Sequence, residues 1–174
     1  MVISCCDSRI HATSMFGADM GEFFIHRNIA NLVPPYNPDG DHHGTSAAVE
    51  YALKTLQVSH IIILGHSHCG GIKSGYKLFC FNQISHESIF VNKWLDILKP
   101  AYENISKQIN RFDEGNNADL EKESIKFSLN NLTDFPFVKS ALNKKELVLH
   151  GLWHDIGSGT LEALDPISMN FKKI

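Results

Sequence analysis

Two short stretches carry residues suited to chemistry: Cys5-Cys6-Asp7-Ser8-Arg9 near the start, and Gly65-His66-Ser67-His68-Cys69-Gly70-Gly71 a third of the way along. Tetrahedral Zn²⁺ takes thiolate and imidazole ligands, and a catalytic zinc keeps three protein ligands with a fourth position open. Cys5, His66 and Cys69 make such a Cys₂His set. The His-x-x-Cys spacing lets one tight turn offer two ligands, and the third comes from a distant segment. The bland alternative is that Cys5 and Cys69 are small core residues. Asp7 beside a metal could coordinate it or accept a proton from metal-bound water. Arg9 can grip Asp7 with a two-pronged hydrogen bond, lowering its basicity and drawing it off the metal. The alternative is an ordinary ion pair at a strand end.

These residues need elements that bring them together. Ile61-Ile62-Ile63-Leu64 is an unbroken apolar, β-branched run, the pattern of a strand buried on both faces of a parallel sheet. Met1–Cys5 reads as a second such strand. Open α/β sheets do their chemistry where strands end at their carboxyl edge, so both motifs fall at the right place. Cys5 and Asp7 project to one side and Cys6 to the other. Phe23–His26 is predicted as a further strand, and the Pro-, Gly- and His-rich stretch from Asn37 to Gly44 as a loop. Thr45 is the expected N-cap of a helix from Ser46 to about Leu56. Gly70-Gly71 should open another helix whose N–H groups face the site.

Phe90 to Ile109 is amphipathic with a break near Pro100. Leu120–Leu132 and Phe135–Leu142 read as helices, Leu147–Trp153 as a strand, and Thr160–Leu164 as its hairpin partner at the sheet edge. The expected fold is α/β: a mainly parallel four-stranded sheet with an antiparallel C-terminal edge strand and helices on both faces. Residues 1–174 are expected to form one domain, N-terminally short in that it begins directly on a buried-looking strand.

Composition narrows the function. A net charge of −3 with mixed signs gives no electrostatic case for nucleic acid or an anionic membrane. No apolar run approaches the roughly 20 residues that span a bilayer. The N-terminus lacks the basic region of a signal peptide. The 4 cysteines, two of them adjacent, suggest reduced thiols and a cytoplasmic location. A phosphate-binding P-loop needs Lys directly after its second Gly, but Gly71 and Ile72 stand before Lys73. A cysteine phosphatase needs an Arg where Gly75 stands.

Taken together, the two cysteine motifs resemble those of the β-class carbonic anhydrases. Arg27-Asn28-Ile29-Ala30-Asn31-Leu32-Val33-Pro34-Pro35-Tyr36, Ala48-Val49-Glu50-Tyr51-Ala52 and Ser128–Leu132 running to Phe135-Pro136-Phe137-Val138 are similar to that family too, especially its plant-type branch. The resemblance implies zinc-dependent, reversible hydration of CO₂ to bicarbonate and a proton by zinc-bound hydroxide. It implies Zn²⁺ on Cys5, His66 and Cys69, with Asp7 and Arg9 as the adjoining dyad. The substrate pocket would be Phe24, Ile29, Tyr51 and Gly70, lying at the interface of a homodimer or higher even oligomer, with Phe24 and Tyr51 lent by the partner. Family members also carry an N-terminal helical segment and a substrate-contacting Gln ahead of the first zinc cysteine, for which Met1–Ser4 offer no counterpart. A non-catalytic zinc-binding or interaction module is therefore the alternative expectation. His42, His43 and His68 are candidate proton shuttles, with solvated loop histidines as the plainer reading. Trp94 and Trp153 read as packing residues and Cys80 as a bystander.

Overall fold

A computed structural model describes residues 1–40, 43–81, 88–107 and 117–174. Three apolar stretches become adjacent parallel strands: β1 (Val2–Cys5), β3 (His60–His66) and β4 (Val148–His154). A fourth parallel strand, β2 (Ile25–Asn28), lies outside β1, and β5 (Leu161–Leu164) and β6 (Phe171–Lys173) add antiparallel to β4 and to each other. The sheet order is β2-β1-β3-β4-β5-β6. The parallel core of four strands is as expected. The antiparallel C-terminal edge is as expected too, but Leu161–Leu164 is an interior strand and a further short strand, Phe171–Lys173, makes the edge itself. The second strand also sits two residues later than Phe23–His26, so Phe24 precedes it.

Period-two alternation divides the apolar residues between the sheet's faces. Ile3, Ile61, Ile63 and Trp153 pack with residues of α2 (Gly44–Lys54), α6 (Ala118–Asp134) and α7 (Pro136–Asn143). Val2, Leu64 and Leu152 face the other way, against the short α1 (Ala12–Phe16). Full burial of each such Ile or Leu contributes about 1.5–3 kcal/mol. A third cluster lies beyond the carboxyl edge of the parallel strands. There α3 (Gly70–Phe81), α4 (Ile89–Leu95) and α5 (Lys99–Ser106) pack around Leu32, Ile72, Leu98 and Leu120, with Cys5 and Cys69 among them. The expected break near Pro100 is the step from α4 through a 3₁₀ turn into α5, with Pro in its first turn.

Two close approaches hold α6 on the sheet. A Cβ on Gly65 would stand 2.7 Å from Ile125 Cδ1, and one on Gly151 would stand 2.9 Å from Ile125 Cγ2. These strand glycines leave room for one isoleucine. The polar face of α6 serves the segment after β2: Ser128 Oγ accepts the Val33 N–H at 3.2 Å, and Asn131 Nδ2 donates to the Val33 carbonyl at 2.8 Å. Val33 thus finds on a helix the two partners a neighbouring strand would have supplied.

Thr45 does not cap α2. The helix starts at Gly44 with His43 at the N-cap, and Thr45 is buried inside the first turn. Its hydroxyl instead meets His26 Nε2 at 2.9 Å and Asn28 Nδ2 at 3.3 Å, tying α2 to β2. No described helix is long and apolar enough to cross a membrane.

Candidate metal centre

The strand ends converge as the motifs require. β1 and β3 are parallel with Ser4 opposite Leu64, so Cys5 and His66 emerge at the same sheet edge. The chain then turns through Ser67 and His68, whose φ of 55° is left-handed, and enters α3 at Gly70 just after Cys69. Cys5, His66 and Cys69 are all buried, and their ligand atoms lie within 4.8 Å of one another. Among the described residues no other group of His, Cys, Asp and Glu gathers in this way.

The geometry fits a tetrahedral metal. The Cys5 and Cys69 sulfurs are 3.9 Å apart, close to the edge of about 3.8 Å that follows from Zn–S bonds of about 2.3 Å. His66 Nδ1 stands 2.9 Å from the Ser67 carbonyl. A carbonyl only accepts, so Nδ1 carries the proton and Nε2 keeps its lone pair. That Nε2 is buried and has no hydrogen-bond partner. A buried imidazole nitrogen without a partner, beside two sulfurs, is what a ligand to a soft or borderline cation looks like.

The sulfurs themselves are prepared for negative charge. The Cys69 thiol beside it holds Cys5 far below the usual thiol range, to about 4, helped by His66 and by the N–H groups of Asp7 and Ala30, against the opposing effect of burial. Cys69 is pushed up because it shares its proton with Cys5 and is buried, although the Gly71 and Ile72 N–H groups at the start of α3 favour its thiolate. Those N–H groups do face the site, as the Gly70-Gly71 opening predicts. Burial lowers His66, but the Cys5 sulfur, the Ser67 carbonyl and the charges of Cys5 and Asp7 outweigh it and the net shift is upward. Ala30 adopts a left-handed conformation (φ 64°), placing its N–H toward Cys5.

Asp7 and Arg9 form the expected fork. Arg9 Nε donates to Asp7 Oδ1 at 2.8 Å and a terminal nitrogen to Oδ2 at 2.6 Å. The Arg9 backbone N–H adds a bond to Oδ1, and the guanidinium also reaches the His68 carbonyl at 3.1 Å, across to the other motif. Arg9 keeps the Asp7 carboxyl well below the ordinary range. Asp7 lies outside the three-ligand cluster.

Not every predicted site residue gathers here. Gly70 follows Cys69 directly. Ile29 is beside the same turn, since a Cβ on Gly71 would stand 2.8 Å from Ile29 Cγ2. The Ile29 carbonyl is held by Trp94 Nε1 at 2.7 Å. Phe24 and Tyr51 lie elsewhere in the chain. Their rings pack on each other at 5.9 Å, and the Phe24 carbonyl accepts the Val2 N–H, at the start of β1 rather than its end. Four residues of strand separate Phe24 from Asn28, the partner of Cys5, which is roughly 13 Å. Cys6 is exposed while Cys5 is buried, in keeping with opposite facing, and Cys80 is exposed. His68 is exposed, His43 is half-buried at the start of α2, and His42 lies outside the described residues.

Two residues at this site had no assigned role. Arg27 clamps the turn that follows β1: its guanidinium donates to the carbonyls of Cys5 (2.9 Å), Asp7 (2.7 Å) and Ile10 (2.9 Å). Glu121 of α6 is buried beneath Cys69. One carboxylate oxygen accepts the Cys69 N–H at 3.0 Å and the other accepts Trp153 Nε1 at 3.1 Å. Burial pushes its carboxyl up, against those two donors. Trp153 is thus a packing residue that also reaches the site through Glu121. The available signal was an acidic residue four before Ile125 on the buried stripe of α6.

Residues 1–161 match the carbonic anhydrase family. The chain is 36% identical over 163 residues to beta carbonic anhydrase 3 of Arabidopsis thaliana, covering 93% of this chain and 62% of that relative's length. Its fold superposes on the β-carbonic anhydrase CcaA with a TM-score of 0.87 at 32% identity, over 99% of this chain and 82% of that one. A tetrameric β-carbonic anhydrase of Sordaria macrospora gives a TM-score of 0.76 at 30% identity, over 94% and 78% of the two chains.

Proposed function

The chain belongs to the β-class carbonic anhydrase family, and from that membership we propose that it catalyses the reversible hydration of CO₂ to bicarbonate and a proton, using Zn²⁺ held by Cys5, His66 and Cys69. The observation that carries the zinc assignment is the buried, partnerless Nε2 of His66 facing two sulfurs at tetrahedral spacing. Zinc supplies the Lewis acidity that makes hydroxide available near neutral pH.

The chain's own residues do the rest. Arg9 engages Oδ1 of Asp7 twice, through its backbone and its side chain, but Oδ2 only once. A carboxylate oxygen has two lone-pair positions, so Oδ2 keeps one to receive a hydrogen bond from the attacking oxygen nucleophile and aim it. A carboxylate held this far toward its ionised form is an orienting acceptor and a poor store for the released proton. The proton leaves to buffer. CO₂, apolar and linear, docks on Ile29 and the Gly70 backbone of one chain and on Phe24 and Tyr51 of a second.

Assembly of at least a homodimer follows from that pocket, and its support is the separation of Phe24 and Tyr51 from the sulfurs of their own chain. Thiolate ligands suit a reducing compartment, so we place the protein in the cytoplasm. Stopped-flow CO₂ hydration, with zinc measured on the same sample, tests the proposal. Turnover proportional to zinc is expected. Stoichiometric zinc without turnover would leave the non-catalytic zinc module in its place.

A further inference from the structure

Ser67 sits between the metal ligands and spends every polar group it has. Its carbonyl accepts His66 Nδ1–H at 2.9 Å, and its N–H donates to the His154 carbonyl at 2.8 Å, at the end of β4. Its hydroxyl donates to Asp155 Oδ1 at 3.0 Å and accepts the Ile156 N–H at 2.9 Å. The residue is buried, so water cannot replace a lost partner without reorganisation. Asp155 in turn shapes the turn between β4 and β5, accepting the Gly157 N–H at 3.0 Å and the Ser158 hydroxyl at 2.8 Å. The next turn, between β5 and β6, is built in the same way. Asp165 Oδ1 accepts the N–H groups of Ile167 and Ser168, and the closing backbone bonds match those of the first turn. Only the first turn reaches the ligand loop.

We propose that the Ser67–Asp155 pair is a latch that positions His66 and Cys69 for the metal: Asp155 fixes the Ser67 hydroxyl, and the fixed Ser67 peptide presents the carbonyl that sets the tautomer and ring plane of His66. Both are positioning residues, and the inference rests on the zinc reading above. Partners in this outer layer typically tune metal affinity 10–100-fold. The test is zinc affinity, read by competition with a chromogenic chelator on apo-protein well below the melting temperature, with the Co²⁺ ligand-field spectrum as a second readout. Ser67→Ala should weaken zinc by about 10–100-fold and alter the Co²⁺ bands, while Ser67→Thr, which keeps the hydroxyl, should stay near wild type. Asp155→Ala should weaken zinc and Asp165→Ala should not, although both remove the same kind of turn. That pair also decides the matter if Ser67→Ala does not fold. Equal zinc affinity for Asp155→Ala and Asp165→Ala, or wild-type affinity for Ser67→Ala, overturns the latch and leaves the zinc site standing. A wild-type chain that takes up no zinc overturns both.

Discussion

At the residue scale, the site depends on which atoms have partners and which do not. Cys5, His66 and Cys69 were legible in sequence as a candidate set because a His-x-x-Cys turn and a strand-end thiol together offer three ligands suited to one cation. The proposal makes each indispensable. Cys5→Ser or His66→Ala should lose stoichiometric zinc by elemental analysis, and full retention in either would refute the ligand set. Arg27 and Glu121 were not legible as site residues. The role of Arg27 is to satisfy three backbone carbonyls, and backbone targets leave no trace in a pattern of side chains. Glu121 falls on the buried stripe of α6, but its role emerges only where Cys69 and Trp153 converge on it.

Asp7 gives a prediction with a definite sign. Arg9 is the first cause of its lowered pKa, so in the intact fork the carboxylate stays charged through the neutral range. Its contribution to stability is complete above the ordinary aspartate value of about 3.9 and is lost only as pH falls toward the lower folded value. Arg9→Gln removes the main cause, so Asp7 titrates at higher pH. The acid limb of CO₂ hydration should then move upward in pH, with zinc content unchanged. Asp7→Asn should depress turnover at every pH, again with zinc retained. An acid limb that does not move in Arg9→Gln, or full turnover in Asp7→Asn, would remove the fork from the reaction.

At the element scale, α6 is the part on which the sheet and the site both lean. It carries Glu121 under Cys69, Ile125 into the glycine gaps of β3 and β4, and Ser128 and Asn131 against Val33. Gly65→Ala would drive a methyl to 2.7 Å from Ile125 Cδ1 and 3.0 Å from Cγ1. Overpacking of this kind costs about 1–3 kcal/mol. Ile125→Val deletes the nearer atom and by itself costs about 0.5–1.5 kcal/mol. The double variant should therefore be more stable than the sum of the two losses, by denaturant melts. Strict additivity would show that α6 moves away freely and that the close fit is unimportant.

The strands and helices with strong periodicity were readable to within a few residues, and the errors share a cause. Thr45 has the chemistry of a cap, but His26 and Asn28, 19 and 17 positions earlier, claim its hydroxyl. Phe171–Lys173 is too short to announce itself as a strand and takes shape only against β5. In each case a partner distant in sequence, or a neighbouring strand, overrode the local pattern.

At the scale of the whole molecule, a single chain holds an incomplete pocket. Tyr51 is 51% exposed and its ring meets that of Phe24 at 5.9 Å, an aromatic pair at the wrong end of β2 to reach the sulfurs of its own chain. If these rings line the partner's pocket, the two halves of the site can be disabled on different chains. His66→Ala removes the metal half, and Phe24→Ala with Tyr51→Ala removes the apolar half. Each variant alone should be nearly inactive. In a mixed dimer, the chain that keeps its metal ligands faces a partner that keeps both rings, so one of the two sites is whole. Co-expressed and separated by distinct tags, the heterodimer should hold one zinc per dimer and recover up to about half the wild-type turnover. A heterodimer that forms, takes up its zinc and remains as inactive as its parents would show that Phe24 and Tyr51 serve no neighbouring site, and the pocket would have to be sought within one chain.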